Sequence, residues 1–284
     1  MRPQVTVILP TYNWSGVLRY AIASVLRQTF TDFELLVIGD GCTDDSAQVV
    51  AEAGDARVRW IGLPENSGHQ SEPNNVGLRE ARGEIIAYHG HDDLWLPHHL
   101  AVTVDALQTS GADLAHSLCL MVASEGESSS WILIPQPELG AYAPPLGVIH
   151  RRSLTERIGG WRHYRELGTT PPDVELWRRA AAAGAKLTFV PRLTGIKFPA
   201  SVRRNVYRTR PHREQEAWAA RIASDPDLEV HLLAHSLTAR SSLMESWSYR
   251  ELLRGFIRQT ARRIRTGLRL RYGSIEAIRR YKGL

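Results

Sequence analysis

The sequence has little cysteine and no long apolar run. Only two cysteines, Cys42 and Cys119, occur in 284 residues, and neither belongs to a CxxC pair or a zinc-ligand spacing. This pattern argues against a disulfide framework and fits a reducing compartment. The first apolar run, residues 5–9, is stopped by Pro10 too early for a signal peptide, and no segment reaches membrane-spanning length. We therefore expect a globular, cytoplasmic chain.

Two common phosphate-binding motifs are also missing. No G-x-G-x-x-G follows the first apolar run, and G-x-x-x-x-G-K-[ST] occurs nowhere. Their absence excludes the usual dinucleotide and P-loop phosphate cradles. A divalent metal shared between carboxylates and substrate phosphates is the standard alternative.

Positive charge is concentrated at one end of the chain. Residues 249–284 contain eleven basic and two acidic residues, so this tail carries +9 and the remainder −4 of the total of +5. Apolar residues from Leu252 to Leu268 fall on one helical side and arginines on the other, which is typical of a helix that docks on an anionic membrane surface. An oligomer contact through the apolar stripe is the alternative. No nucleic-acid-binding motif accompanies the charge, so we expect no nucleic acid partner.

Apolar runs alternate with helical patterns through the first third of the chain. This order predicts an α/β fold with a mostly parallel central sheet, helices on both faces, and a helical C-terminal extension. In such sheets ligands bind beyond the carboxyl ends of the strands. The predicted strands are residues 5–9, 33–38, 58–63 and 84–88, with a last strand at 186–191, and the predicted helices are residues 16–28, 45–53 and 73–81.

A polar segment follows each of the first four predicted strands. These segments are residues 10–13, 39–44, 64–68 and 89–93. Because they are in phase with the strands, we expect a single polar site along one sheet edge. The fourth contains the adjacent carboxylates of Asp92 and Asp93, and such a pair requires a cation, hydrogen-bond donors or solvent.

Several motifs, taken together, resemble the family-2 glycosyltransferases of GT-A fold. They are VTVILPTYN at 5–13, VIGDGCTD at 37–44, NSG at 66–68, NVG at 75–77, GEIIAY at 83–88 with DDLW at 92–95, GGWR at 159–162 and PDVELWRR at 172–179. The resemblance covers most of residues 4–97 in order and spacing and is thinner beyond Trp95. It implies a nucleotide-sugar donor, a metal at the D-x-D-type motif, and a second half with the acceptor site and the catalytic base.

The resemblance also assigns roles to single residues. Asp173 stands at the position of the base that deprotonates the acceptor hydroxyl in an inverting transfer. Asp92 and Asp93 stand at the metal position, with Mn²⁺ or Mg²⁺ as the implied cofactor. The implied donor-binding residues are Pro10, Thr11, Tyr12, Asn13, Asp40, Asn66, Gly68, Asn75, His91 and Asp92.

The chain departs from the family pattern at four positions in or beside these motifs. Gly39 and Gly90 replace expected acids, Asn74 stands where a basic residue is frequent, and Pro172 replaces the acid before Asp173. These departures put metal dependence and donor choice in question. For Asp173, an acid placed at a helix N-terminus because the macrodipole favours it is the simpler explanation to exclude.

The motifs divide the chain into a catalytic domain and an extension. We expect a GT-A domain at 1–198, with a nucleotide-sugar half at 1–97 and an acceptor half at 98–198, followed by an Arg-rich loop and amphipathic tail at 199–284. The implied reaction moves a sugar to a glycan, lipid-linked or other hydroxyl acceptor in cell-surface polysaccharide or glycolipid assembly, at the cytosolic membrane face. A nucleotide-sugar-binding protein without turnover and a metal-dependent nucleotidyltransferase are the alternatives.

Overall fold

The computed structural model describes residues 2–123, 130–133, 143–168, 170–200, 203–245 and 275–283. The strands are β1 Val5–Thr11, β2 Phe33–Asp40, β3 Val58–Leu63, β4 Ile85–Tyr88, β5 Leu94–Trp95, β6 Leu114–Met121, β7 Trp131–Leu133, β8 Val148–Arg151 and β9 Leu187–Lys197. The helices are α1 Ser15–Leu26, α2 Ser46–Glu52, α3 Ser71–Glu80, α4 His99–Ser110, α5 Arg152–Ile158, α6 Pro172–Ala182, α7 Val206–Thr209, α8 Arg213–Ser224, α9 Leu228–Glu245 and α10 Ile275–Lys282.

The described strands form one sheet with the order β3-β2-β1-β4-β8-β6-β9-β5, and β7 pairs with β6 outside this path. The first four strands are parallel, with Val5 opposite Phe33 on one side and Ile85 on the other. β8 runs antiparallel to both β4 and β6, and β9 runs parallel to β6. The carboxyl ends of β1, β2, β3 and β4 therefore meet at one edge.

Each face of the sheet packs on its own hydrophobic core. Alternation along β1 directs Val5, Val7 and Leu9 toward side chains of α1, α2 and α4, while Ile8 packs on the opposite face with side chains of α3, α5 and α6. Trp177 of α6 is fully buried in this second core. The two cores fix the starts of α3 and α6 relative to the sheet edge, where the site lies.

The fold class predicted from the sequence is confirmed: the chain is an α/β protein with helices on both faces of a sheet whose first half is parallel. Two local predictions were wrong. The last strand extends to Lys197 rather than ending at 191, and the segment predicted as an Arg-rich loop contains α7 and the start of α8.

The tail prediction is only partly open to comparison. The amphipathic stretch from Leu252 to Leu268 lies outside the described residues, whereas the end of the basic tail beyond it forms α10. No helix in the described part of the chain is both long and apolar enough to span a membrane.

Candidate active site

Four loops meet at the carboxyl edge of the parallel strands: loop 1 (residues 12–14), loop 2 (41–45), loop 3 (64–70) and loop 4 (89–93). Asn13 joins the first two. Its backbone is left-handed, with φ of 46°, and its Oδ1 accepts hydrogen bonds from the backbone N–H groups of Thr43 at 2.7 Å and Asp44 at 3.2 Å. The predicted donor-binding residue therefore acts here as a connector between loops.

Asp44 links the starts of two helices. Its carboxylate accepts hydrogen bonds from the backbone N–H of Ser15 at 2.9 Å and of Ser46 at 3.1 Å. Ser15 begins α1 and Ser46 begins α2, so one side chain serves unpaired N–H groups at both helix ends. These bonds lower the pKa of Asp44 although burial, the largest single influence, acts to raise it.

His91 of loop 4 is bonded to the end of β1. Its Nδ1 lies 3.1 Å from the Thr11 hydroxyl and 3.4 Å from the backbone nitrogen of Tyr12. The ring also makes edge contacts with Trp14 at 5.4 Å. Burial lowers the pKa of His91 to about 4, so the imidazole is neutral near pH 7.

Asp40, at the end of β2, holds loop 3. Its Oδ1 accepts from the Ser67 N–H at 2.9 Å, and its Oδ2 accepts from the Ser67 hydroxyl and the Asn66 amide, both at 3.0 Å. Burial raises the pKa of Asp40, against the lowering effect of these bonds. Gly68 follows with φ of 85°, a conformation that glycine adopts without strain. Asp40, Asn66 and Gly68, all predicted to bind the donor, thus form one hydrogen-bonded unit.

The two adjacent carboxylates of loop 4 have different surroundings. Asp93 is fully buried, and its Oδ2 lies 2.8 Å from Lys197 Nζ while its Oδ1 accepts from the Phe198 N–H at 3.0 Å. Within the described part of the chain Asp92 makes no such ion pair, and burial, followed by the charge of Asp93, raises its pKa to about 7. Asp92 is therefore the carboxylate that favours an added cation.

Gly90 leaves room for the side chains of Asp92 and Asp93. A Cβ added at Gly90 would lie 2.5 Å from Asp93 Oδ2 and 3.3 Å from Asp92 Oδ1. The Asp93 carboxylate therefore occupies the space that a side chain at position 90 would need. The acid that the sequence pattern lacks at 90 is replaced in space by an acid three positions later, which is already paired with Lys197.

A divalent metal is implied by the fold family, and the described residues give it limited support. They contain no group of three or more His, Cys, Asp or Glu side chains placed to hold an ion. Both Asp93 oxygens are bonded, and His91 Nδ1 faces Thr11. The described residues do not make a metal site by themselves, and the assignment of Asp92 and Asp93 as ligands stays a prediction.

Asp173 lies in the first turn of α6 and is buried, with 7 % of its surface exposed. Burial raises its pKa, while the charges of Lys197 and Lys282 lower it. The same two ammonium groups act to lower the pKa of Asp92, although burial raises it overall. The predicted base and the predicted metal-side carboxylate, 81 positions apart in the sequence, therefore share one pair of cationic neighbours.

Asn75 lies away from this group and has a different set of partners. Its amide donates to the Trp161 carbonyl at 2.8 Å and accepts from the Trp161 N–H at 2.8 Å. Trp161 in turn packs against Tyr88 and Trp177. The predicted donor-binding residue therefore joins α3 to the GGW segment, and both polar ends of its amide are already used.

Gly39 is the other glycine that stands where the family pattern has an acid. A Cβ at this position would overlap the indole ring of Trp60 on the neighbouring strand β3. The ring occupies the space that a carboxylate side chain would require. At both glycines that stand at expected acidic positions, a neighbouring side chain thus occupies the space that an acid would need.

A cavity of about 340 Å³ opens beside the loops. None of the described residues that line it is acidic; they are Tyr12, Asn66, Tyr207, Arg208, Arg210, Arg279 and Gly283. Cavities of this volume are large enough for small ligands, and guanidinium groups bind phosphate oxygens with paired hydrogen bonds. Sequence reasoning placed Tyr12 and Asn66 here, and named Arg208 and Arg210 only as part of a basic segment. It counted Arg279 and Lys282 only among the basic residues of the tail and did not single out Lys197.

Comparison with known sequences identifies the family. The sequence profile described as Glycosyl transferase family 2 matches residues 6–153, which is more than half of the chain. The chain belongs to glycosyl transferase family 2. The family resemblance predicted from the motifs is confirmed.

Curated relatives carry the same type of name. An uncharacterised glycosyltransferase of Nostoc is 28 % identical over 172 residues, covering 55 % of this chain and 53 % of the relative. A UDP-Glc:α-D-GlcNAc-diphosphoundecaprenol β-1,3-glucosyltransferase of Escherichia coli is 31 % identical over 103 residues, covering 37 % of this chain and 40 % of that protein. The matches thus span about half or less of these relatives.

Solved structures share the fold. The mannosyltransferase PcManGT of Pyrobaculum calidifontis, in complex with GDP-Man and Mn²⁺, superposes with a TM-score of 0.58 at 18 % identity, covering 100 % of this chain and 86 % of that one. TarS 1–349 of Staphylococcus aureus, in complex with UDP-GlcNAc, gives 0.57 at 20 % identity, covering 69 % and 58 %. At these identities the likeness establishes the GT-A fold.

Proposed function

We propose that this family-2 chain is an inverting glycosyltransferase that moves a sugar from a nucleoside diphosphate to an acceptor hydroxyl. One observation carries the proposal. Asp173 of α6 and Asp92 of loop 4 are both buried, and the charges of Lys197 and Lys282 act on both carboxylates. This supports a site in which a base for the acceptor lies near cations that can stabilise the leaving diphosphate, as a single displacement requires.

In the proposed reaction Asp173 accepts the proton of the acceptor hydroxyl. The hydroxyl oxygen then forms a bond to the anomeric carbon from the face opposite the diphosphate, and the bond from that carbon to the diphosphate oxygen breaks with its electron pair. Burial raises the proton affinity of Asp173, which suits a base. The charges of Lys197 and Lys282 act in the opposite direction and favour the ionised carboxylate.

The donor is proposed to lie across loops 1 to 3, with its diphosphate toward Asp92 and the arginines of the cavity. A metal, if used, would be held by Asp92 and the donor's own phosphates, because the other carboxylate is already paired. The complexes of fold relatives with UDP-GlcNAc and with GDP-Man support a nucleotide-sugar donor without choosing the base.

For the acceptor we propose a lipid-linked sugar in surface polysaccharide or glycolipid assembly, at the cytosolic membrane face. The name of the Escherichia coli relative includes a diphosphoundecaprenol acceptor, which supports this class. The basic tail supports the location, because polybasic helices bind anionic lipid surfaces.

The test measures transfer from UDP-, GDP- and dTDP-sugars by the parent chain and by Asp173→Asn. We expect Asp173→Asn to lower turnover by about 10²- to 10⁴-fold, the usual contribution of general base catalysis, with nucleoside diphosphate binding retained. Asp105→Asn, an exposed carboxylate on α4, is the matched control and should keep full activity. Unchanged turnover in Asp173→Asn would exclude the proposed base.

The two alternative functions give different products in the same assay. A binding protein without turnover would bind a nucleotide-sugar and release no nucleoside diphosphate. A nucleotidyltransferase would release pyrophosphate instead. Product analysis therefore separates all three.

A further inference from the structure

The C-terminal helix α10 lies against the candidate site rather than away from it. The Tyr281 carbonyl accepts a hydrogen bond from the Asn205 N–H at 2.8 Å, just before α7. On the other side, Arg279 donates to the Tyr164 hydroxyl, and its guanidinium lies 5.1 Å from the centre of that ring. The helix is thus held from two directions by the catalytic domain.

Arg279 reaches loop 3. A Cβ added at Gly68 would lie 2.6 Å from Arg279 Nη1 and 3.0 Å from Nη2. The guanidinium therefore packs directly over the backbone of Gly68, next to the unit formed by Asp40 and Asn66. Glycine at 68 leaves the space that this approach needs.

Lys282 lies one helical turn after Arg279 on the same side of α10, and its neighbour Gly283 lines the cavity. Its side chain is half-buried. Burial lowers its pKa, and the charges of Asp92 and Asp173 act in the opposite direction. The end of the basic tail thus brings a second cation to the side of the helix that borders the cavity.

The helix borders the cavity without filling it. Arg279 and Gly283 contribute to a lining that also includes Tyr12 and Asn66 of the donor loops, and about 340 Å³ stays open. Three of the seven lining residues are arginines. The cavity is lined by cations and lies next to polar loops. It therefore fits an anion such as a diphosphate, whose oxygens accept paired hydrogen bonds from guanidinium groups.

We propose that α10 completes the donor site, with Arg279 and Lys282 binding the diphosphate and neutralising the leaving group in place of a protein-bound metal. This inference rests on the proposed function. When the bond to the anomeric carbon breaks, its electron pair and the resulting negative charge stay on the diphosphate. Two cations that are already positioned stabilise that charge without waiting for a metal to bind.

The experiment measures binding of UDP and GDP to the full chain by calorimetry, with EDTA present, and compares each with uridine and guanosine. We expect the double variant Arg279→Ala with Lys282→Met to weaken diphosphate binding by about 10- to 100-fold, as for the loss of two charge-assisted contacts. Nucleoside binding should not change, because the nucleosides lack the phosphates. Arg280→Ala, an exposed arginine of the same helix, is the matched control and should bind like the parent.

A second pair of variants separates charge from packing. Lys282→Arg keeps the charge and should retain diphosphate binding, whereas Lys282→Met should weaken it. If both weaken it equally, or if the double variant binds as the parent does, the inference is overturned. Tighter binding in the double variant would also overturn it, because α10 would then obstruct diphosphate binding.

Comparing parent binding in EDTA and in Mn²⁺ gives an independent test. Parent binding that is lost in EDTA and restored by Mn²⁺ would assign the charge to a metal and overturn the inference, while glycosyl transfer itself could stand. A parent chain that binds none of UDP, GDP and dTDP, with or without Mn²⁺, would overturn the proposed function as well. The two failures are therefore distinguishable.

Discussion

Asn75→Ala tests whether this side chain is a structural connector. Its amide makes two hydrogen bonds of 2.8 Å with the backbone of Trp161, 86 positions away. Arg179 of α6 donates to the carbonyl of Gly160 and to two further carbonyls of the same segment. The segment is held between α3 and α6, so Asn75 helps position the helix that carries Asp173.

The expected loss of stability follows from these bonds. Removing the amide leaves the N–H and the C=O of Trp161 without partners in a partly buried place. At about 1 to 1.5 kcal/mol for each bond, Asn75→Ala should lower the free energy of unfolding by about 2 to 3 kcal/mol. Nucleoside diphosphate affinity should change little, because both Nδ2 and Oδ1 of Asn75 are already bonded to the backbone of Trp161.

Urea denaturation followed by fluorescence gives the stability, and calorimetry gives the affinity. Arg79→Ala is the control on the same helix; its ion pair with Glu72 is exposed, so the effect should stay within about 0.5 kcal/mol. Gly160→Ala adds a sharper test, because its new Cβ would overlap Asn75 Oδ1. Gly160→Ala should lower the free energy of unfolding by less in the Asn75→Ala variant than in the parent chain. Additive effects, or lost nucleotide binding with unchanged stability, would refute the connector role.

Three further predictions concern the charged groups. Gly90→Asp should destabilise the chain and not restore a metal site, since its Cβ would lie 2.5 Å from Asp93 Oδ2; thermal melting with and without Mn²⁺ checks this, and a metal-dependent gain would contradict it. Lys282→Met removes a charge that lowers the pKa of Asp173, so the acidic limb of the rate against pH should move to higher pH; an unmoved limb would show that the two groups are uncoupled. Truncation after Ser248 should abolish co-sedimentation with anionic vesicles, and a truncated chain that still sediments would refute tail docking.

The sequence predicted the sheet edge well because strand order and motif spacing are local properties. Predicted strands such as residues 58–63 matched β3 in both bounds. Asp92 and Asp173 were found because their motifs survive in the sequence. The cationic partners were not found, because the approach of Lys197 depends on a strand longer than predicted and that of Lys282 on contacts across the whole chain.

Residue roles were harder to predict than residue positions. Asn13, Asp40 and Asn75 lie in motifs that bind donors in the family, yet each is hydrogen-bonded to another part of this chain. A motif indicates which residue is present and cannot tell which neighbour already uses its polar atoms. The missing acids illustrate the same limit, because the sequence shows Gly39 but not the Trp60 ring that excludes a side chain there.

The bonding of Asp40 to loop 3 has a consequence for base selection at the proposed donor site. Both carboxylate oxygens already accept hydrogen bonds from Asn66 or Ser67. A base that binds Asp40 must exchange one partner for another, so it gains only the difference between two similar bonds. Selectivity then depends on how far loop 3 can rearrange, and substitutions at Ser67 would change base preference without touching the carboxylate itself.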